Sequence, residues 1–275
     1  MLRLTRLKPT DVSHIPETLD RYDKELKQKT GCTLLEIAVE AARTNAAAGR
    51  LLKKTVAAVV PITSGGGVIE GFSLAVTAIL NHVGVKAITT RETDVAGIVE
   101  AYEKDSHLLF VADDKIFVAI NLLTNRVVDN ATATAKAYVA ALDRMANGLI
   151  GKPVLVIGVG HVGRAAVEDL ILRKAKPLAV DVNRLRVRTL KQTLGRKVTV
   201  FRTLTEAMKH TDFVINTAPA RNIIKANMIN ANTLISAPAI PLGLTTAGLR
   251  KAERHLVHDS LELGVATMAV EACAN

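Results

Sequence analysis

A glycine-rich turn, Gly158–Gly163, has the residue types and spacing that suit a dinucleotide phosphate. An apolar run just before it predicts a buried strand, and the residues after it predict a helix. Gly158 would permit a tight turn, Gly160 would let a pyrophosphate approach the backbone, and Gly163 would let helix and strand pack closely. Free N–H groups at the start of that helix would bind the phosphates.

An acidic residue, Asp181, lies 23 residues after Gly158 at the end of the next predicted strand, where a dinucleotide turn needs one. Its carboxylate can accept hydrogen bonds from the adenosine ribose hydroxyls and repels a 2′-phosphate, so the pattern favours NAD over NADP. Arg184 and Arg186 weaken this preference. A glycine turn that serves only packing is the alternative interpretation.

Later strands of the same half end in small and prolyl residues. These should border the ribose and the nicotinamide, because ligands bind beyond the carboxyl ends of parallel strands. The competing interpretation is that these residues only end the strands and begin the loops that follow. The predicted cofactor-binding residues are Gly158, Gly160, His161, Val162, Gly163, Asp181, Thr217, Ala218, Pro219 and Pro238.

The other half of the chain carries a second strand-end turn, Thr63–Gly67, with the sequence TSGGG. We expect a helix to begin there with Ser64 as its cap, and the backbone N–H groups to cradle a substrate carboxylate. Asp113 and Asp114 end another predicted strand, and their paired carboxylates could hold a substrate ammonium group. A helix cap and a surface turn without further function are the alternatives.

No side chain stands out as a general base. His161 lies inside the cofactor turn, and the other histidines form no pair that suggests a catalytic dyad. The sequence has no metal-binding pattern and no nucleophile elbow, so we assign no catalytic residue and no metal. Ordered water is expected to take the proton. Asn121 and Asn130 are further polar candidates, although such residues are more often structural.

The elements that must position these residues form two halves. Helical patterns precede Val56, and from there strand-like runs alternate with helices, which predicts an α/β fold with a parallel sheet. From residue 153 the pattern predicts six strands of a Rossmann-type, doubly wound parallel sheet. We therefore predict a smaller N-terminal α/β substrate domain with a helical N-terminus, residues 1–148, and an NAD-binding domain, residues 149–275.

The composition is globular, with 49% apolar and 23% charged residues. The net charge of +10 is spread along the chain, and it suits an anionic cofactor or substrate as well as solvated helix faces. The absence of Trp and the few aromatic residues argue against a nucleic-acid partner. No apolar run approaches the roughly 20 residues of a membrane span, so we expect a cytoplasmic protein. The apolar C-terminal segment could serve the core or an interface, and we expect a homodimer.

Four stretches together make the sequence similar to the PylD family, the dehydrogenases that complete pyrrolysine biosynthesis. They are Val60–Ile69, Val111–Asp114, Val154–Gly163 and Leu261–Met268. A dinucleotide turn alone would not single out this family, whereas the TSG turn and the Ala-Asp-Asp strand end at these separations do. The resemblance covers nearly the whole chain from about residue 7.

This resemblance implies an activity. Family members oxidise the terminal amine of 3-methylornithyl-N6-lysine, an isopeptide-linked dipeptide, with NAD. The imine or aldehyde condenses with the ornithine α-amine, and loss of ammonia and water closes the pyrroline ring. Carried over by position, the resemblance implies Ser64, Phe72, Asp113 and Asn130 as substrate-binding residues, with Leu7 on a helix that closes over the site.

Two rival functions stay open at this point. One is another NAD(P)-dependent dehydrogenase, of the amino-acid or methylene-tetrahydrofolate type. The other is a module that binds NAD and changes shape without catalysis. The second polar rim, formed by the TSGGG turn and the Asp pair, argues against such a module. Ala239, where the family tends to have Gly, and the residues around Asn130 depart from the family pattern.

Overall fold

The computed structural model describes residues 7–45 and 47–274. The helices in this part of the chain are α1 (Pro9–Val12), α2 (Ile15–Thr30), α3 (Leu34–Ala41), α4 (Ala47–Leu52), α5 (Phe72–His82), α6 (Asp94–Glu103), α7 (Asn130–Met145), α8 (His161–Leu172), α9 (Arg184–Leu194), α10 (Leu204–Ala207), α11 (Thr246–Ala252) and α12 (Glu262–Cys273). None of these described helices is long and apolar enough to cross a membrane.

The strands of the described residues form two sheets. They are β1 (Val56–Val60), β2 (Lys86–Thr89), β3 (Leu108–Ala112), β4 (Phe117–Asn121), β5 (Arg126–Asp129), β6 (Pro153–Ile157), β7 (Lys176–Val180), β8 (Thr199–Val200), β9 (Phe213–Asn216), β10 (Leu234–Ser236) and β11 (Leu256–Val257). The five strands from β1 to β5 make one sheet, and the six from β6 to β11 make the other.

Two compact units divide the chain. Unit 1 holds the chain up to Glu25, Cys32–Ala137 and the segment from Ser260 on, and unit 2 holds Leu26–Gly31 and Tyr138–Asp259. Helices α2 and α7 contribute residues to both units. The division expected from the sequence placed residues 149–275 together, whereas α12 lies in unit 1.

The sheet of unit 1 has the strand order β2-β1-β3-β4-β5. Strands β2, β1 and β3 are parallel, but β4 is antiparallel to β3, and β5 is antiparallel to β4. The expectation of a parallel sheet is therefore wrong for this edge. Residues 113–116 form too short a connection for a parallel crossover, which needs a dozen or more residues, so β3 and β4 make a hairpin.

The C-terminal segment is a core helix of unit 1. Every residue of α12 from Glu262 to Ala272 is buried, which suits a helix that is apolar on nearly all sides. It contacts α3, α4, α5, β4 and β5. Asn121 on β4 donates from Nδ2 to the Ala272 carbonyl at 2.8 Å, so this candidate residue has a structural role.

The sheet of unit 2 is parallel throughout, in the order β11-β10-β9-β6-β7-β8. This is the doubly wound arrangement that the sequence predicted. From β6 the chain builds outward through β7 and β8, then returns to place β9 on the other side of β6. The strand order reverses between β6 and β9, and ligands bind beyond the carboxyl ends of the strands at such a point.

Candidate functional site

The turn Gly158–Gly163 lies at this reversal point, directly after β6. Gly158 adopts φ +83°, and a Cβ there would lie 3.0 Å from Ala218. A Cβ on Gly163 would collide with the Gly158 carbonyl oxygen and would lie 2.6 Å from Thr217 Oγ1. These two positions therefore exclude side chains because helix, turn and strand pack so closely.

Gly160, the middle glycine of the turn, lies in a more open environment than Gly158 and Gly163. A Cβ on Gly160 would have one neighbour within 4 Å among the described residues, Arg186 Nη1 at 3.9 Å. Gly160 is also the residue that caps α8, which begins at His161. The N–H groups of the first helical turn, which includes Val162, have no acceptor within the helix. Because Gly160 has no side chain, a phosphate can approach the backbone closely beside these donors.

Asp181 supports the turn from the end of β7. Its Oδ2 accepts the Val159 N–H at 2.7 Å, and its Oδ1 accepts the Asn183 N–H at 2.7 Å. The Arg186 guanidinium nitrogen Nη1 lies 3.9 Å from Oδ2, and the Asp181 side chain is only 6% exposed. The carboxylate predicted to bind the ribose thus already orders the glycine turn, and an arginine lies beside it.

Residues beyond β9 and β10 complete the rim. Thr217 Oγ1 donates to the carbonyl oxygens of Ile157 at 3.1 Å and Gly158 at 2.8 Å, so its hydroxyl holds the glycine turn. Ala218 packs against Gly158. Pro219 follows Ala218 as an exposed residue, and Pro238 is half-buried just beyond β10.

Asn216, the last residue of β9, begins a turn that the sequence predicts beside the ribose and the nicotinamide, although it is not among the predicted cofactor-binding residues. Its Oδ1 accepts the Ala218 N–H at 3.2 Å, whereas its buried Nδ2 donates to no group in the described residues. A buried donor without an acceptor costs about 1–3 kcal/mol, and a bound ligand could supply the acceptor. Its place at the carboxyl end of a parallel strand was the signal in the sequence.

These features of unit 2 fit a dinucleotide. The open face of Gly160, the free donors of the α8 N-terminus and the carboxylate of Asp181 match the three parts of a dinucleotide fingerprint. His161, Val162 and Gly163 would supply N–H groups to the phosphates, and Asp181 would face the ribose. Thr217 and Asp181 would act by keeping the turn in shape.

Unit 1 contains a cavity of about 640 Å³ beside the carboxyl ends of β1 and β3. Phe72 and Phe117 form part of its wall, with ring centroids 5.3 Å apart in an edge-to-face arrangement. The predicted residues Leu7, Phe72, Asp113 and Asn130 all line this cavity, whereas Ser64 does not. The topology thus brings four of the five predicted substrate residues together.

The ionisation of Asp113, which lines this cavity, follows from its hydrogen bonds. Its Oδ1 accepts the N–H groups of Lys115 at 2.7 Å and Ile116 at 2.8 Å. The backbone N–H of Ile116, and then that of Lys115, lower the pKa of the Asp113 carboxyl below its ordinary value. The carboxylate is therefore ionised at neutral pH, and its Oδ2 accepts no hydrogen bond from the described residues.

Asp114 has a separate role from its neighbour. Its Oδ2 accepts the Gly66 N–H at 2.7 Å, and a Cβ on Gly65 would lie 2.5 Å from the same oxygen. The expectation that the TSGGG turn offers its N–H groups to a substrate carboxylate is therefore wrong for Gly66. A carboxylate of the chain itself already accepts that hydrogen bond.

The expected helix start at Ser64 is also wrong. Helix α5 begins at Phe72, with Gly71 as its N-cap, and Ser64 is an exposed turn residue whose carbonyl accepts the Gly67 N–H at 3.4 Å. Three consecutive glycines favour a turn over a helix, because glycine loses the most backbone entropy when it becomes helical. Asn130 begins α7 and accepts a hydrogen bond from Thr134 Oγ1 at 3.3 Å.

Few side chains of the cavity could accept a proton. Among the described residues that line it, the only titratable side chains are Asp113 and Asp114. No cluster of three or more His, Cys, Asp or Glu side chains in the described part of the chain could hold a metal ion. A larger cavity of about 760 Å³ lies in unit 2 beside the amino ends of β6 and β9, away from the glycine turn.

Two family models match the chain. Residues 11–128 match the model described as the N-terminal domain of the pyrrolysine biosynthesis protein PylD. Residues 117–238 match the model described as the NAD binding domain of D-isomer specific 2-hydroxyacid dehydrogenases. The second match contains the glycine turn and Asp181.

Two curated relatives match almost end to end, and both are named pyrrolysine synthase. The one from Methanosarcina barkeri is 26% identical over 267 residues, which is 97% of this chain and 97% of the relative. The one from Methanosarcina acetivorans is 25% identical over 262 residues, or 95% of this chain and 97% of the relative. With the match of residues 11–128, they confirm the resemblance to the PylD family.

A solved structure supports the fold. The shikimate dehydrogenase from Aquifex aeolicus superposes with a TM-score of 0.54 at 15% identity, covering 79% of this chain and 90% of that one. At this identity the likeness concerns the fold alone. Together with the family models, it confirms the α/β fold with a Rossmann-type sheet. The match to an NAD binding domain and the two pyrrolysine synthase relatives indicate an oxidoreductase of the nicotinamide-dependent dehydrogenase type.

Proposed function

We propose that this chain, a relative of the PylD dehydrogenases over nearly its whole length, oxidises the terminal amine of 3-methylornithyl-N6-lysine with NAD and closes the ring of pyrrolysine. The observation that carries the proposal is an ionised, partly unpaired carboxylate, Asp113, in a partly aromatic cavity of the unit that matches PylD. Such a cavity suits a substrate with amines and a methyl-bearing chain.

The chemistry of the reaction balances with one dinucleotide. The amine-bearing carbon loses a hydride and its nitrogen loses a proton, which leaves an imine. The ornithine α-amine then adds to the imine carbon, and ammonia departs as the ring C=N bond forms. If the imine first hydrolyses to the aldehyde, the water taken up is released again at ring closure. Bound NAD supplies the hydride acceptor.

The chain's own residues bind and orient the substrate in this proposal. Asp113 pairs through Oδ2 with an ammonium group of the dipeptide, since Oδ1 is held by the Lys115 and Ile116 amides. Phe72 and Phe117 contact the aliphatic chain and exclude water from it. Because the backbone N–H groups lower the pKa of Asp113, its carboxylate is a poor base, and ordered water takes the proton.

NAD is the proposed cofactor because Asp181 lies where the adenosine ribose is bound in this fold. A carboxylate at that position repels a 2′-phosphate and accepts hydrogen bonds from free ribose hydroxyls. Arg186, 3.9 Å from Asp181, opposes part of that repulsion. We therefore expect NADP to bind more weakly than NAD without being excluded.

The direct test incubates the purified protein with the dipeptide and NAD. We expect formation of NADH and release of ammonia in a one-to-one ratio, and pyrrolysine as the product in mass spectrometry. Parallel assays with ornithine, lysine, shikimate and methylene-tetrahydrofolate should give no turnover. NADH formation with one of these and none with the dipeptide would overturn the proposal.

A substitution, Asp113→Asn, tests the substrate site within that assay. The asparagine oxygen can still accept the Lys115 and Ile116 amides, so the hairpin is kept while the charge is lost. We expect KM for the dipeptide to rise about 30-fold, in line with a lost charge-assisted hydrogen bond, with unchanged affinity for NAD.

The pH dependence has a definite sign. A carboxyl with a lowered pKa is ionised above that pKa and loses its charge only as the pH falls through it. The KM ratio between Asp113→Asn and the unaltered protein should therefore stay constant between about pH 5 and 8, well above the ordinary aspartate pKa of about 3.9. A ratio that collapses between these values would contradict the assignment.

A further inference from the structure

A carboxylate outside the cavity holds the first residue of the TSGGG turn. Asp94 Oδ1 accepts the Thr63 N–H at 2.8 Å, and Asp94 Oδ2 accepts the Thr63 hydroxyl at 2.5 Å. The Asp94 N–H donates in turn to the Pro61 carbonyl at 2.9 Å. Three hydrogen bonds thus tie the first residue of α6 to the segment directly before the glycines.

The backbone of Asp94 is unusual for a residue with a side chain. Its φ is +52°, in the left-handed region, where residues other than glycine are uncommon and whose cost the surrounding contacts must offset. Hydrogen bonds from the Thr63 side chain and then the Thr63 backbone lower the pKa of the Asp94 carboxyl. The residue is therefore charged, and its side chain is directed at Thr63.

The glycines of the turn do little to fix its conformation. Gly65 and Gly67 adopt φ values of +73° and +79°, and glycine has little conformational preference of its own. The far end of the turn is fixed by Asp114, which accepts the Gly66 N–H and lines the cavity. Asp94 fixes the near end and does not itself line the cavity.

We propose that Asp94 is a positioning residue for the substrate site: it fixes Thr63 and thereby sets the position of the Gly65–Gly67 wall of the cavity. The inference rests on the proposed function, since it assumes that the dipeptide binds against this wall. It assigns to α6 a role in substrate affinity that involves no contact with the substrate.

The same helix provides a matched control. Glu100, also on α6, accepts two backbone N–H groups with one oxygen, from Arg91 at 2.7 Å and from Glu92 at 3.0 Å. Its pKa is likewise lowered, first by the Glu92 N–H. Glu100 therefore stabilises the β2–α6 loop in the way that Asp94 stabilises the turn, but it has no bond to residues 63–67.

The experiment compares Asp94→Ala, Thr63→Val, Thr63→Ser and Glu100→Ala in the full chain. We expect Asp94→Ala to raise KM for the dipeptide about tenfold with a nearly unchanged kcat, because small misplacements of binding groups are costly. Thr63→Val should raise KM for the dipeptide by a smaller factor. Thr63→Ser keeps the hydroxyl and should therefore keep the normal KM. Glu100→Ala should lower Tm as much as Asp94→Ala while keeping the normal KM.

Two readouts separate this inference from the proposed function. The affinity for NAD should be equal in all four variants, and a parallel loss of NAD affinity in Asp94→Ala would overturn the positioning role. Hydrogen exchange of the Gly65–Gly67 amides needs no turnover, and it should accelerate in Asp94→Ala but not in Glu100→Ala. Absent turnover in the unaltered protein refutes the proposed function, whereas unaltered exchange in Asp94→Ala refutes the positioning role.

Discussion

The two glycine-rich turns of this protein follow strands and resemble each other in sequence, yet they use their backbone donors differently. Gly158–Gly163 runs directly into α8 and leaves the face of Gly160 open. Thr63–Gly67 is followed by a further loop before α5, and it is bonded near both ends by carboxylates of the chain, Asp94 and Asp114.

The charges around the two turns differ, and these charges determine which kind of ligand each turn can attract. A turn with free N–H groups at a helix N-terminus attracts phosphates. A turn whose N–H groups already face carboxylates does not attract a second anion, and the nearby Asp113 adds a negative charge to the same cavity. A glycine-rich strand end thus predicts a ligand site, and the charges around it favour a ligand of the opposite sign.

The largest effect is expected at the open glycine of unit 2. Gly160→Val places a side chain where the structure has one neighbour at 3.9 Å, so Tm should be unchanged. The side chain would fill the phosphate face, and NAD affinity should fall at least about 100-fold, or roughly 2.7 kcal/mol. Fluorescence titration with NADH measures this.

Gly163→Ala is the matched variant for that experiment. Its Cβ would collide with the Gly158 carbonyl, so it should lose stability as well as NAD affinity, by about 1–3 kcal/mol of unfolding free energy. Normal NAD binding by Gly160→Val would show that the phosphate does not use the open face, and the two turns would then not differ in the way described.

A smaller effect is expected at the turn of unit 1. Gly65→Ala introduces a Cβ at φ +73° that would lie 2.5 Å from Asp114 Oδ2. Asp114 or the turn must shift, and KM for the dipeptide should rise about 20-fold without a change in NAD affinity. Gly67→Ala, with φ +79° and open space around it, shares the backbone strain without the collision and should have a milder effect. Equal effects of the two would contradict a role for the Asp114 contact.

The smallest effect concerns cofactor choice. Arg186→Ala removes the positive charge 3.9 Å from Asp181, which then repels a 2′-phosphate without opposition. Since the Arg186 side chain is 35% exposed, solvent screens the pair, and NADP affinity should fall only about fivefold, with a lesser change for NAD. Arg188→Ala, on the same helix, is the control. A rise in NADP affinity on removing Arg186 would refute this interpretation.

Much of the fold could be predicted from the sequence because its signals are local. The strand, glycine turn and helix around Gly158 follow from residues that are neighbours in the chain, and the six parallel strands follow from repeated apolar runs. Strand β5 was missed because it is short and carries only one buried residue, Val128. The antiparallel direction of β4 follows from the short connection 113–116, which the prediction of a parallel sheet did not take into account. That Asn216 Nδ2 has no acceptor among the described residues could not be predicted, because it depends on the packing of the distant loop around Gly243.

The sequence by itself determined where the glycines and the acidic residues stand, and with them the dinucleotide turn and the pair Asp113-Asp114. Only the tertiary structure decided that Asp114 bonds Gly66, 48 positions away, and that Asp94 bonds Thr63 across 31 positions. Backbone preferences act between neighbours in the chain, whereas a carboxylate bonds whichever N–H the packed sheet brings within about 3 Å.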